Sequence, residues 1–202
     1  MKYYRPDEDK SSYNKHHKGK IEDYDIADEV EPRTVEDILS DVSDICIHQI
    51  MFNSDSAGIC QKINMHGLKR VHRHLSKKFH CYYLELLNNS INDYDHIPES
   101  HSEFRPYSVS SFKDHLYYRL ELLQCHIRTL GELSKEFFCI TGVVNCDIER
   151  MLHCMYKSLC KTRRVIQRFD FTEWAPHDIM MWDYYLHKKM KKVESKEGYN
   201  KE

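Results

Sequence analysis

Histidine and cysteine are the residues of this sequence with the most chemistry to offer, fourteen of the first and eight of the second. Imidazole and thiolate are common ligands of zinc and copper, and a thiolate beside an imidazole can act as a nucleophile. Their spacing supports neither use. His72, His74 and His80 share one helical stretch, but His72 and His80 stand eight positions apart and His74 lies off their line. No HExxH or HxxxH pair forms, so solvated surface histidines are the expectation. "QCH" at 124–126 and "LHCM" at 152–155 set Cys beside His, where a helix turns neighbouring side chains apart. There is no CxxC pair, nucleophile elbow or phosphate-binding glycine loop, and an ordinary enzyme is not expected.

Basic residues cluster at Lys69–Lys78 and Lys161–Arg168, with Tyr82 and Tyr156 nearby. A formal net charge of −2 provides no global attraction to a polyanion, and a basic helix face is more often simply solvated. Nucleic acid is therefore not an expected partner. No run of about 18 apolar residues occurs, and the first residues lack the apolar stretch of a signal peptide, so the expectation is a cytoplasmic chain with no membrane partner. The cysteines fall mostly within helical stretches and are expected to be reduced, small and semi-buried. Cys139 and Cys146, which flank a turn, are the pair least expected to stay free.

The elements that would position these groups are helices. Only six glycines and five prolines punctuate 202 residues, enough chain for one domain with a sizeable core. Residues 1–32 mix charge, Tyr, His and Ser with few aliphatics and read as a flexible or surface-docked arm. Residues 33–195 read as one helical domain and 196–202 as a fraying tail. A first helix opens at Thr34, where "TVED" offers a capping box, and its stripe runs Val35, Ile38, Leu39, Val42, Ile45, Cys46, Ile50 and on to Ile63, with Gln49 the odd residue on it. A second opens near His66 and carries Leu68, Val71, Leu75, Phe79, Tyr82 and Leu86.

"HIPESHSEFRPYS" is too long for a tight antiparallel turn and long enough to cross a bundle lengthwise. A third helix opens at Ser110 or Ser111, with Phe112, Leu116, Leu120, Leu123, Ile127, Leu130 and Phe137 on one stripe. A fourth, capped by Asn145 or Asp147, carries Ile148, Leu152, Met155, Leu159, Thr162, Val165 and Phe169. Pro176 then opens a short fifth helix whose "IMMWDYY" reads as a core or subunit contact. The fold class is all-α.

These stretches resemble ferritin over about residues 34–192. "GLKRVHRHLSKKFHCYYLELLNNSINDYDHIP" is similar to the ferritin second helix, "HLYYRLELLQCHIRTLGELSKEF" to its third and "DIERMLHCMYKSLCKTRRVIQRF" to its fourth. The resemblance implies a four-helix bundle with a long crossover between the second and third helices and a short C-terminal fifth. It also implies a di-iron ferroxidase centre made by a Glu on the first helix, a Glu-x-x-His pair on the second, a Glu on the third and a Gln on the fourth. By register those positions fall on Gln49, Phe79 and Tyr82, Leu123, and Thr162.

Neutral side chains without an anionic oxygen do not hold two iron ions, so the resemblance implies a subunit without its own centre or bound di-iron cofactor. The acidic cavity face of the second helix falls near Lys77, Lys78 and Cys81, a basic face that repels ferric ions. The acidic lining of the three-fold channel falls on Leu152 and Met155. The implied partners are copies of itself, up to 24, or active ferritin subunits in a mixed cage that would supply any iron. Two rival readings stand beside this one: a ferritin-fold interaction module that builds no cage and stores no iron, and an oxidase with ligands recruited elsewhere, such as His74 or Cys81.

Overall fold

The computed structural model describes residues 33–100 and 111–199. Five α-helices account for most of them: α1 (Val35–Lys62), α2 (His66–Tyr94), α3 (Phe112–Thr141), α4 (Cys146–Phe171) and α5 (Pro176–Tyr199), with no strand among the described residues. The expected arm at 1–32, most of the crossover at 101–110 and the last residues, 200–202, lie outside the described residues.

Local sequence explains most helix ends. Thr34 Oγ1 accepts from the Asp37 backbone N–H at 3.2 Å, and the Asp37 carboxylate accepts from the Thr34 N–H at 2.9 Å, which completes a capping box. Ser111 caps α3 through the Asp114 N–H, and Asn145 Oδ1 caps α4 through the N–H groups of Asp147 and Ile148. Gly142, at φ 71°, ends α3 in the left-handed region and donates its N–H to the Phe138 carbonyl at 2.8 Å.

The α2 N-terminus has no cap of its own, since Met65 provides no side-chain acceptor. Asp183 of α5 serves instead, accepting from the Gly67 N–H at 3.0 Å and the Leu68 N–H at 2.8 Å. A Cβ on Gly67 would stand 2.2 Å from the Asp183 carbonyl oxygen, so the glycine is what lets the α5 backbone lie against the first turn of α2. Ile179, Trp182 and Leu186 close over Cys60, Met65 and Leu68 at the same end.

Cross-helix bonds give the topology. Cys46 donates to the Phe79 carbonyl and Asn53 meets His72, so α1 rises as α2 falls and the two are antiparallel. His72 meets His115 and Tyr94 packs on Phe137; both pairs differ by the same number of residues (115 − 72 = 137 − 94 = 43), so α2 and α3 run parallel. Two consecutive parallel helices require a connection that returns the length of the bundle. Arg119 with Ser158 and Ser134 with Glu149 make α3 and α4 antiparallel. One apolar cluster runs through the middle, from Ile38, Leu39 and Val42 of α1 through Phe79 and Leu86 of α2 and Leu123 and Leu130 of α3 to Ile148, Met151 and Met155 of α4.

Two expectations change in detail. Ile63 lies past the end of α1 and is exposed, because α1 stops at Lys62 and the chain turns through Asn64 at φ 59°. α5 is the shortest of the five helices, yet it continues to Tyr199 rather than fraying after residue 195.

Candidate functional site

The five positions implied for a ferroxidase centre are mostly interior. Phe79 and Leu123 are each 2 % exposed and belong to one apolar cluster. Tyr82 is half-buried against that cluster, with its ring edge-to-face on Phe79 at 5.9 Å and Lys78 Nζ 5.6 Å from its centroid. Burial is the main cause pushing the Tyr82 phenol above its usual range. Thr162 is buried and donates to the Ser158 carbonyl at 3.0 Å, a bond within its own helix.

Gln49 is also buried, but it is bonded outside that cluster. Its Nε2 lies 2.8 Å from His126 Nδ1, and Asn53 Nδ2 donates both to its backbone oxygen at 2.7 Å and to its Oε1 at 3.3 Å. Asn53 Oδ1 in turn lies 2.9 Å from His72 Nδ1, and His72 Nε2 lies 3.0 Å from His115 Nε2. Arg119 rests against the His72 ring, 3.1 Å from Nδ1 and 3.4 Å from Nε2, and donates to Ser158 Oγ at 3.3 Å. At the other end His126 Nε2 lies 3.2 Å from His48 Nδ1. A polar chain thus threads α1, α2, α3 and α4 through the interior.

The protons in this chain are fixed by its own geometry. Flipping the Asn53 amide would set Oδ1 against the Gln49 carbonyl oxygen, so Oδ1 must be the atom facing His72, and His72 Nδ1 must carry the hydrogen. The Arg119 contact with Nδ1 is then a charge against the ring rather than a second bond. His72 Nε2 is left with a lone pair and accepts from His115 Nε2–H. Gln49 Oε1 accepts from Asn53, so its Nε2 donates to His126 Nδ1, and His126 Nε2–H donates to His48.

Every histidine here is pushed toward its neutral form. Burial, then the Arg119 charge, then His115 hold His72 well below the usual range, and burial with Arg119 brings His115 down to about 3. Burial and His48 bring His126 to about 4. Burial pushes the Cys60 thiol up to about 12. These residues correct the expectation of solvated histidines, because His72 is 0 % exposed and His115 2 %. Sequence spacing singles out none of Cys60, His115 and Arg119, and offers His126 only as the neighbour of Cys125. The signal was there in their register: His72 lies on the α2 stripe between Leu68 and Phe79, and His115, Arg119 and His126 recur at helical spacing around Leu123.

Cys60, His72 and His115 also bring one Sγ and two ring nitrogens within 4.8 Å of one another, and no other such metal-ligating group occurs among the described residues. All eight cysteines are free thiols, Cys139 and Cys146 included; Cys46, Cys60 and Cys154 are buried and the other five are exposed rather than semi-buried.

The surface positions divide. Lys77, Lys78 and Cys81 are exposed. Lys77 lines a groove of about 470 Å³ between α2 and α5 with Lys69, Arg70, Arg73 and His74, where Arg70 is paired with Glu194. Met155 is 0 % exposed and Leu152 packs against the same apolar cluster. No helix among the described residues is long and apolar enough to cross a membrane.

No protein-family model matches the chain, and no curated protein matches it. Among solved structures it is similar to an open-pore ferritin from the hyperthermophilic archaeon Archaeoglobus fulgidus, at 10% identity and a TM-score of 0.65 over 76% of this chain and 94% of that one. It is likewise similar to a closed form of the Archaeoglobus fulgidus ferritin made by site-directed mutagenesis, at 9% identity and a TM-score of 0.64, over 76% of this chain and 94% of that one. Likeness at this identity speaks to architecture alone, and the architecture is that of a ferritin-like fold.

Proposed function

We propose that the chain is a ferritin-like subunit without its own ferroxidase centre, a structural or regulatory member of an iron-storage-type shell. The observation that supports this most is the burial of Phe79 and Leu123 in one apolar cluster, at positions where the resemblance places two carboxylates. The side chains there do not fit a pair of iron ions. Phe79 and Leu123 have no donor atom, and Thr162 and Gln49 are engaged by Ser158, Asn53 and His126. Each buried apolar side chain instead contributes about 1.5–3 kcal/mol to the bundle. On this reading any iron reaches the particle through active subunits that assemble with this one, and the exposed basic run at Lys77 and Lys78 does not nucleate mineral.

Exposed apolar residues favour association. Phe171, Met180, Tyr184 and Tyr185 at and beyond the end of α4 are 51–90 % exposed, and Phe138, Val143 and Val144 are exposed at the α3–α4 turn. The same surfaces would serve the second reading, an interaction module that forms no cage. Particle mass by light scattering separates the two: a multi-subunit shell supports the first, and a species near 24.4 kDa or twice that sinks it. Anaerobic Fe(II) followed by oxygen should be oxidised no faster than in buffer, and a saturable di-iron absorbance would overturn the proposal.

A further inference from the structure

We propose that Cys60, His72 and His115 form a buried site for a single soft monovalent cation, copper(I), held by one thiolate and two imidazoles. The three residues come from the last turn of α1, from α2 and from the start of α3, and all are at most 2 % exposed. Their donor atoms already lie within 4.8 Å of one another. Metal–ligand bonds of about 2.0–2.3 Å put the donors of a three-coordinate ion about 3.5–4 Å apart, so small side-chain shifts complete the site. It lies about 10 Å along α2 from Phe79, two helical turns away, and of the five positions in that layer only Gln49 bears on it, through Asn53.

His72 is prepared as a ligand. Its Nδ1–H donates to Asn53 Oδ1, and Asn53 is itself held by Gln49, so the ring is fixed with the Nε2 lone pair toward His115. An outer carbonyl that takes the second ring proton is the usual support of a metal-bound histidine. His115 Nε2, which carries a hydrogen toward His72 in the empty site, becomes a ligand when that hydrogen moves to its Nδ1, a tautomer change that leaves the ring neutral. Met65, whose thioether suits the same class of ion, packs in one cluster with Cys60.

Charge selects the ion. The Arg119 guanidinium stands against the His72 ring and the buried Asp183 carboxylate acts on Cys60, so the empty site already holds one charge of each sign. Binding copper(I) replaces the Cys60 thiol proton, which leaves to solvent, and forms a copper–sulfur bond: one positive charge leaves as one arrives, and no electron moves. A divalent ion would add a net charge beside the guanidinium in a region of low dielectric. Thiolate and imidazole together favour a soft d10 ion, and of these copper(I) keeps the balance.

The test uses the full chain with Cys81, Cys125, Cys139, Cys146 and Cys160 changed to Ser, which removes the exposed thiols. Anaerobic titration against a chromophoric copper(I) chelator should give one ion per chain, and X-ray absorption should show one sulfur and two nitrogens. One equivalent of copper(I) should raise the melting temperature, and one of zinc(II) should not. Cys60→Ser and His72→Gln should each weaken copper binding at least 100-fold. Unchanged affinity in Cys60→Ser, a coordination shell without sulfur, or a larger thermal shift with zinc(II) would each overturn the assignment. Since absorption and melting are read on the parent chain, the proposal can fail even if a variant does not fold.

Discussion

Two layers of one bundle, two helical turns apart, meet the same problem in opposite ways. Around Phe79 and Leu123 the space between the helices is filled with apolar side chains that ask nothing of their neighbours beyond contact. From His72 onward the same helices bury His115, Arg119, Asn53, Gln49 and, past Leu123, His126, each satisfied by the next. The apolar layer tolerates exchange among side chains of similar volume. The polar layer functions as a unit, because a half-satisfied buried network costs more than no network. The difference shows why burial of a polar group alone is a poor sign of a lost or gained site: what counts is whether the group can be paired without a metal.

Acid should separate the layers most. His72 is held well below its usual range, His115 at about 3 and His126 at about 4, so between those values and 6.5 the unfolded chain binds protons that the folded chain refuses. Stability therefore rises with pH across that window and falls as pH drops below 6.5. Each histidine contributes about 1.4 kcal/mol per pH unit, so the three together should remove about 6 kcal/mol between pH 7 and pH 5. Urea unfolding at a series of pH values measures it. His126→Leu should reduce the slope by about a third whatever it does to absolute stability, and a slope unchanged in that variant would place the acid sensitivity elsewhere.

Carboxylates placed in each layer sharpen the contrast. Phe79→Glu buries an acid among Leu123, Met151 and Met155 and should cost about 3–5 kcal/mol at pH 7. Asn53→Asp keeps an acceptor for the His72 Nδ1–H and adds an anion near Arg119, but sets a carboxylate oxygen against the Gln49 carbonyl in place of a hydrogen bond, and should cost about 1–3 kcal/mol. Equal losses in chemical denaturation would mean that the layers do not differ in kind.

Much of the fold was legible in the sequence because its signals are local. Thr34, Ser111 and Asn145 announce helix starts by their own chemistry, and the length of the segment after Tyr94 implies a crossover before any contact is known. The α2 start carries no such signal; its cap, Asp183, comes from the far end of the chain, and no local pattern pairs them. Phe79 and Leu123 could be placed in the interior from their stripes. His72 lies on the same stripe, yet its residue type outweighed its register, and it was read as surface. The partners that neutralise that cost, Asn53, His115 and Arg119, sit on other helices, where sequence spacing is silent.

Gln49 joins the two layers, since the resemblance assigns it to one and its hydrogen bonds place it in the other. Gln49→Glu is the mildest change and the most discriminating. A carboxylate at position 49 can still accept from Asn53 Nδ2, but it has no hydrogen for His126 Nδ1. His126 should then take a proton on Nδ1 while keeping Nε2–H on His48, forming an ion pair within the chain. Its pKa should rise from about 4 to above 6.5, and the stability of the pair should be present below 6.5 and lost as pH climbs through the new value. The net cost at pH 6 should be about 1 kcal/mol, as pairing offsets most of the burial. Ring-carbon and ring-nitrogen NMR titration of His126 reads the change directly. A His126 that stays neutral at pH 6 would mean that Gln49 does not donate to it, and the inferred direction of the bonds from Gln49 through His126 to His48 would have to be reversed.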